Sequence, residues 1–314
     1  MWLAGTETKR RVRKYSRRDR SRASLAEALL WLGPALLLIV MIVLYPAVTL
    51  VATSFGTFSI TGLRKGDAEF ANYVDLLTNQ DLSRVVGNTG IWVGLVVLFT
   101  ILIGLALAQV LSKEFFGRRL VRWAVIVPWA SALVISSQLF RLVYDYYHGI
   151  LNQLFLSMHL IQKPIDWLGD TRFTLGSMIV VGVFVSVPFT AYLFVAGLSS
   201  IPADLYEAAR IDGGRPWQIY RHITLPLLRP AILTAVVLNI IYVFNSFPIV
   251  WILNGSNPGF GQDTMITYMY KLAFRSAQHD VGLSAAAGVV NLIVVVIAVI
   301  TYLRFVNWRG QAQS

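Results

Sequence analysis

Charged residues divide this chain into long apolar stretches. Six windows contain no Asp, Glu, Lys or Arg: Ala28–Leu63, Val85–Ser112, Trp123–Phe140, Phe173–Ala203, Pro230–Gln262 and Val281–Leu303. A helix needs about 20 apolar residues to cross a bilayer. A charge left at the bilayer centre costs roughly 2.5–3.5 kcal/mol on insertion scales. Five windows are long enough as they stand. The third reaches that length when Val121 and Leu142 are included and their charged neighbours snorkel to the headgroups. The pattern predicts an all-α, polytopic membrane bundle of six transmembrane helices. Their cores lie near 29–53, 89–111, 121–143, 175–198, 229–252 and 282–304. Pro46, Pro128, Pro188 and Pro248 fall in or near these cores, where each removes a helix hydrogen bond. Two readings fit them: kinks that improve packing, or a wet cavity that satisfies the freed carbonyls.

Composition agrees with the pattern. Of 314 residues, 56% are apolar and only 14% charged, where a soluble domain carries nearer a quarter. With no cysteine, disulfides, thiolate metal sites and Cys nucleophiles are excluded. His148, His159, His222 and His279 form no H-x-x-x-H pair, so a zinc site has no support. No clustered acid–base pair or partnered nucleophile suggests a membrane enzyme. The first apolar run is too long for a signal-peptide core and ends in no small-x-small cleavage site.

Charge adds orientation. Lys and Arg are concentrated before the first window, in the loops 113–122 and 199–229, and after the last window, nineteen in all, against eight on the other side. By the positive-inside rule both termini are cytoplasmic. Nine of the nineteen lie between Lys9 and Arg22. Such a block is compatible with nucleic acid. Beside a span, however, it reads as a tail on anionic headgroups, which attract basic residues at roughly 1 kcal/mol each.

The loop 199–229 is polar and punctuated by Gly and Pro. Ser200 is a candidate cap for a helix that begins near Pro202. Leu205, Ala208 and Ala209 make one apolar face, and Gly213-Gly214 supplies the left-handed turn that ends many helices. Pro216 restarts a helix through Trp217, Tyr220 and Ile223, which Pro226 is expected to end. The local pattern fits a helix docked on a soluble partner or one lying on lipid headgroups, for which Trp217 and Tyr220 are suited.

The run Glu207-Ala208-Ala209, Asp212-Gly213, Ile223, Leu225-Pro226 and Pro230 resembles the EAA loop of ABC-importer permeases. WLGPALLLIVMIVLYPAV, FANYVDLL, VPWASALVISSQLF, ILNGSNPGFGQDTMITYMYKLAF and VGLSAAAGVVNLI are similar to the carbohydrate-uptake branch, so the resemblance covers roughly residues 28–305. It implies the type I ABC importer permease fold. The chain would then comprise a basic cytoplasmic tail (1–27), a six-helix permease domain (28–305) with its coupling loop (199–229), and a cytoplasmic C-terminal tail (306–314). It further implies that Glu207, Ala208, Ala209, Asp212, Gly213 and Pro226 serve ATPase coupling. The implied partners are two copies of an ATPase subunit, a second and different permease, and an extracytoplasmic solute-binding protein. ATP and Mg would sit on the ATPases, since no G-x-x-x-x-G-K-[ST] occurs here. One departure stands out: many members carry an Asp after a Phe in the fifth span, where this chain has Phe247-Pro248.

A substrate path needs polar groups inside the charge-free windows. Asn239, Tyr242 and Ser246, at i, i+3 and i+7, are expected on one helical face, with Asn245 beside them. Gln138 and Asn291 are further candidates, and Tyr192, Phe244 and Trp251 could supply rings for stacking on a sugar. The alternative for each is ordinary interhelical hydrogen bonding. No acidic residue lies in any span core, which disfavours an ion-coupled secondary transporter and suits a neutral polar solute. A sugar or oligosaccharide is the expected substrate class. Glycerol-phosphate esters, carried by some members of the family, are the weaker option.

Overall fold

The computed structural model describes residues 20–255, 257, 259–275 and 280–311. Lys9 to Arg18 of the basic tail, His279 and the last three residues lie outside the described residues. Two compact units are distinguished, Met1–Ala52 and Thr53–Ser314. The first contains one long helix, α1 (Arg20–Ile39), which passes through a π turn at Val40–Leu44 into α2 (Tyr45–Ser54). The π turn falls just before Tyr45-Pro46, and the Tyr45 N–H bonds to the Val40 carbonyl. Widening the ladder there accommodates a proline that has no N–H to give.

The second unit opens with a small antiparallel hairpin, β1 (Gly56–Phe58) and β2 (Arg64–Asp67). The helices α3 (Ala71–Thr78), α4 (Gln80–Ser112), α5 (Arg118–Ala130), α6 (Leu133–Val143), α7 (Ile150–Ser157) and α8 (Thr171–Ser199) follow. The 199–229 region holds α9 (Ala203–Ile211), α10 (Pro216–Ile219) and α11 (Leu225–Leu227), the last two joined by a π turn. The chain ends with α12 (Arg229–Phe244), α13 (Phe247–Asn254), α14 (Met265–Phe274) and α15 (Val281–Gln311).

Helices α4 and α8 form the spine, and α12 crosses both. Gly182 of α8 lets them approach closely: a Cβ there would stand 2.7 Å from Trp92 Cη2 and 3.0 Å from Val96 Cγ2. Small residues at such contacts are what membrane helices use in place of a hydrophobic driving force. Trp92 is locked by a 2.9 Å bond from its Nε1 to the Val243 carbonyl. Around it Met178, Val181, Ile249 and Val250 complete one core. A second core, at the start of α4, joins Leu76, Val85, Tyr268 and Ala286. A third, at the far end of α4, joins Ala108, Phe194 and Ala235.

Among the described residues, four continuous helical stretches are long and apolar enough to cross a membrane: Leu29–Ser54, Gln80–Ser112, Thr171–Ser199 and Val281–Arg304. The windows expected to form the third and fifth spans are each broken. In the third, Ser131 and Ala132 adopt extended backbone between α5 and α6, and Ser131 Oγ pairs with Ser136 Oγ at 2.8 Å. In the fifth, Asn245 and Ser246 interrupt the helix between α12 and α13. Pro248 has no N–H with which to continue the ladder, and the residues before it leave helical geometry.

Candidate functional site

Helix α9 starts after Pro202, which occupies its N-cap position without a side-chain cap. Ser200 does not cap it; its hydroxyl turns back to the Gly197 carbonyl at 2.7 Å and closes α8 instead. The turn after α9 forms as expected, with Gly213 at φ +79° and Gly214 N–H on the Ala209 carbonyl at 2.9 Å. Pro226, in contrast, does not end the second helix. A π turn at Tyr220–Thr224 precedes it, so the helix continues through Leu227 and meets α12 at 63°. Tyr206 Oη and Thr224 Oγ1, 3.2 Å apart, tie α9 to this second helix. Trp217 stacks on Tyr220 with ring centroids 5.8 Å apart.

What α9 leaves uncovered matters most. Leu205, Glu207, Ala208, Arg210 and Asp212 are exposed, Ala209 is half-buried, and Ile211 is 86% exposed. A short helix with its apolar positions bare is complete only against something else.

A cavity of about 340 Å³ lies in the second unit between α5, α8 and α12, lined by Trp129, Val185, Ser186, Phe189, Leu238, Asn239, Ile241 and Tyr242. Both helix breaks border it in sequence, Trp129 two residues before Ser131 and Tyr242 three before Asn245. Trp129 stacks on Phe189 at 6.0 Å with an interplanar angle of 23°. Asn239 is buried and donates from Nδ2 to Thr190 Oγ1 and to the Ala235 carbonyl, each at 2.8 Å. Rings, one amide and hydroxyls around an apolar hollow can hold a polar organic solute by stacking and hydrogen bonds.

Residues 80–309 match the family model described as "Binding-protein-dependent transport system inner membrane component". The chain belongs to this family. The permease is 34% identical over 271 residues to a probable ABC transporter permease protein of Brucella suis, covering 86% of this chain and 93% of that one. It is 34% identical over 209 residues to the trehalose/maltose transport system permease protein MalF of Thermococcus litoralis, covering 66% and 69%. With the sulfoquinovosyl glycerol transport system permease protein SmoG of Agrobacterium fabrum it shares 28% identity over 283 residues, 90% and 91% of the two chains. Its fold matches a chain from the crystal structure of a bacterial ABC transporter involved in import of the acidic polysaccharide alginate. There the TM-score is 0.78 and identity 23%, covering 92% and 96%. The permease therefore has the type I ABC importer permease fold and is a transport component, not an enzyme.

Of the expected substrate-path residues, Asn239 and Tyr242 line the permease's cavity and the others do not. Ser246 lies beyond the end of α12, off its face, and its buried hydroxyl caps the Tyr242 carbonyl at 2.7 Å. Asn245 is exposed at the break, donating to the Ile241 carbonyl. Gln138 is exposed on α6. Asn291 is buried on α15, its Oδ1 without a partner. Among the expected rings, Phe244 is buried, Tyr192 donates to the Arg122 carbonyl, and Trp251 joins an aromatic group on α13 and α14. The cavity's own rings, Trp129 and Phe189, escaped the sequence reading. The cue was present in the former: a tryptophan beside Pro128 in a charge-free window.

The sequence reading also missed a buried ion pair. Lys271 Nζ lies 2.8 Å from Asp263 Oδ2, with 7% and 1% of the side chains exposed. Asn254 donates to Asp263 Oδ1 at 2.9 Å, and Lys271 donates to the Gly259 carbonyl at 2.9 Å. Burial pushes the Asp263 carboxyl above the usual range, against the opposing pull of Lys271, Thr267 and Asn254. At the start of α8, hydrogen bonds from exposed Arg172 hold Asp170 below that range. Among the described residues no group of three or more His, Cys, Asp or Glu could hold a metal ion.

Proposed function

We propose that this permease is one of two different membrane subunits of an ATP-driven importer for a sugar or oligosaccharide. The sugar is delivered by an extracytoplasmic solute-binding protein, and two copies of a separate ATPase subunit supply the energy. In this reading the chain crosses the membrane six times with both termini in the cytoplasm. The broken segments α5–α6 and α12–α13 serve as the third and fifth crossings. A broken helix is tolerated in a bilayer where it is buried in protein or lines a wet cavity, and the hollow beside Trp129 and Tyr242 supplies such a place.

The observation that carries the proposal is the uncovered helix α9, with Ile211 86% exposed, hung between two apolar spans. It docks on an ATPase subunit through Leu205, Ala208 and Ile211. Glu207 makes a polar contact, and the left-handed Gly213 fixes the turn that aims the helix. ATP-driven closure of the ATPases moves α9. The movement passes through the Tyr206–Thr224 contact and the 63° bend into α12, whose Asn239 and Tyr242 face the cavity. The sugar relatives supply the substrate class, and the cavity's rings, amide and hydroxyls are the chemistry that a neutral sugar requires.

The test is ATP hydrolysis by the reconstituted complex with its binding protein, comparing wild type with Glu207→Ala and Gly213→Pro. Both variants are expected to insert normally and to lose binding-protein-stimulated hydrolysis, or to release the ATPase subunits. Normal assembly with normal stimulated turnover in both would overturn the coupling role of α9.

A further inference from the structure

A cavity of about 500 Å³, separate from the one beside Trp129, lies in the second unit where α6, α7 and α8 meet. Phe140 and Tyr144 of α6, Phe155 of α7, Trp167 and Phe173 form its walls. Their polar edges are already paired within the protein. Trp167 Nε1–H donates to Asn152 Oδ1 at 2.9 Å, and the buried Asn152 donates in turn to the Ile165 carbonyl at 2.9 Å. The buried Tyr144 donates its hydroxyl to the Ser177 carbonyl at 3.4 Å. What the walls offer is hydrocarbon. The hollow therefore suits an apolar occupant and not a sugar, whose hydroxyls would go unpaired there.

The hollow runs along α8. Arg172, Gly176 and Val180 all line it, at i, i+4 and i+8 on one helical face. At 1.5 Å per residue the step from Arg172 to Val180 covers about 12 Å. Helix α8 is long and apolar enough to cross a membrane, so Arg172, its second residue, stands at headgroup level and Val180 in the hydrocarbon. Gly176 lies between them. A glycine inside a helix costs stability relative to alanine, and at Gly182 the close approach of Trp92 accounts for it. At Gly176 an added Cβ would meet nothing within 4 Å. The missing side chain leaves room for something other than this chain. At the rim, Arg172 Nε and Nη2 donate to Asp170, and Nη1 makes no hydrogen bond among the described residues. The Asp170 N–H donates to the carbonyl of the exposed Asp166 at 3.2 Å, so both carboxylates belong to the turn that precedes Arg172. A purely anionic headgroup would meet two like charges there, whereas one with a phosphate and an ammonium group meets a partner for each.

We infer that this cavity is a binding site for phosphatidylethanolamine. One acyl chain occupies the hollow, the phosphate accepts from Arg172 Nη1, and the ammonium group lies beside Asp166 and Asp170. A soluble partner does not reach so far below the headgroups, and a whole helix, about 10 Å across, is too wide to enter. The site is independent of the solute that the permease carries, since it rests only on α8 crossing the membrane. Because α6 is the second half of the broken α5–α6 segment, the bound chain also fills the space between that segment and α8.

The experiment uses the assembled transporter in nanodiscs. The probe is a phosphatidylethanolamine that carries a photoreactive diazirine midway along one acyl chain. After illumination, peptide mapping reads label on the walls of the hollow relative to label elsewhere on the chain, normalised to assembled complex. Wild type is expected to be labelled at these walls. Arg172→Gln removes the charge-assisted contact and Gly176→Leu fills the hollow, and each should lower that label about three- to tenfold. A phosphatidylglycerol carrying the same diazirine should label the walls less than the ethanolamine lipid. Equal label in wild type and both variants would show only the general lipid boundary and overturn the site. Label on the permease alone that disappears in the assembled transporter would assign the hollow to the second membrane subunit, which also overturns it. Equal labelling by the two lipids would overturn the pairing of the headgroup with both charges.

Discussion

Asn239 and Lys271 are both buried polar side chains, yet they are held in different ways. Asn239 shares its amide between Thr190 and its own helix, an arrangement worth on average about 0.6 kcal/mol in a measured membrane protein. So small a contribution leaves its position beside the cavity as the larger consequence. Lys271 is held by a carboxylate and two carbonyls among groups that exclude water. Removing one partner of a buried pair leaves an uncompensated charge, at a cost of roughly 3–5 kcal/mol, whereas replacing both by apolar groups is often neutral. Asp263→Asn should therefore lower the thermal stability of the purified permease strongly, and Asp263→Leu with Lys271→Met should recover most of it. Equal losses in the single and double variants, measured by thermal unfolding in detergent, would show that the pair is not what holds this segment.

At the scale of elements, the α4–α8 contact depends on one missing side chain. A Cβ at Gly182 would press on Trp92, which its bond to Val243 keeps from moving aside. Gly182→Val should destabilise the protein by about 1–3 kcal/mol, the usual cost of overpacking. Gly176→Val on the same helix, where a Cβ meets nothing within 4 Å, should cost less. Thermal unfolding of the two variants side by side checks this, and equal shifts would contradict it. The windows that became α4, α8 and α15 were legible in the sequence because a charge-free run of bilayer length has few other solutions. The breaks at Ser131-Ala132 and Asn245-Ser246 were not, because hydropathy averages over a window and does not register two residues of changed backbone. Pro248 was a local warning, but a proline also fits a mere kink. The same limit explains the candidate site. Asn239 and Tyr242 lie three residues apart on one helix, so their shared face could be read directly. Trp129 and Phe189 are sixty residues apart and meet only through packing. The apolar face of α9 and the turn at Gly213 were readable because both are local. The π turn that carries the helix past Pro226 depends on hydrogen bonds that no residue type announces.

For the whole molecule, the exposed parts make sense only as parts of an assembly. From Leu29 to Ile39 the long helix of the first unit exposes mainly apolar side chains, as does much of the outer surface of α4 and α15, which suits lipid or a second membrane subunit. Helix α9 presents bare apolar positions beside Glu207 and Asp212, which suits a soluble partner. In the proposed reading that partner is the ATPase that supplies the energy. The decisive measurement is sugar uptake into proteoliposomes that hold the permease with its partner subunits, with ATP and ion gradients supplied separately. The account predicts uptake that requires ATP inside the vesicles and the binding protein outside them, proceeds without any gradient, and stops when the ATPase subunits are omitted. Uptake by the permease alone, driven by a proton or sodium gradient without ATP, would contradict it.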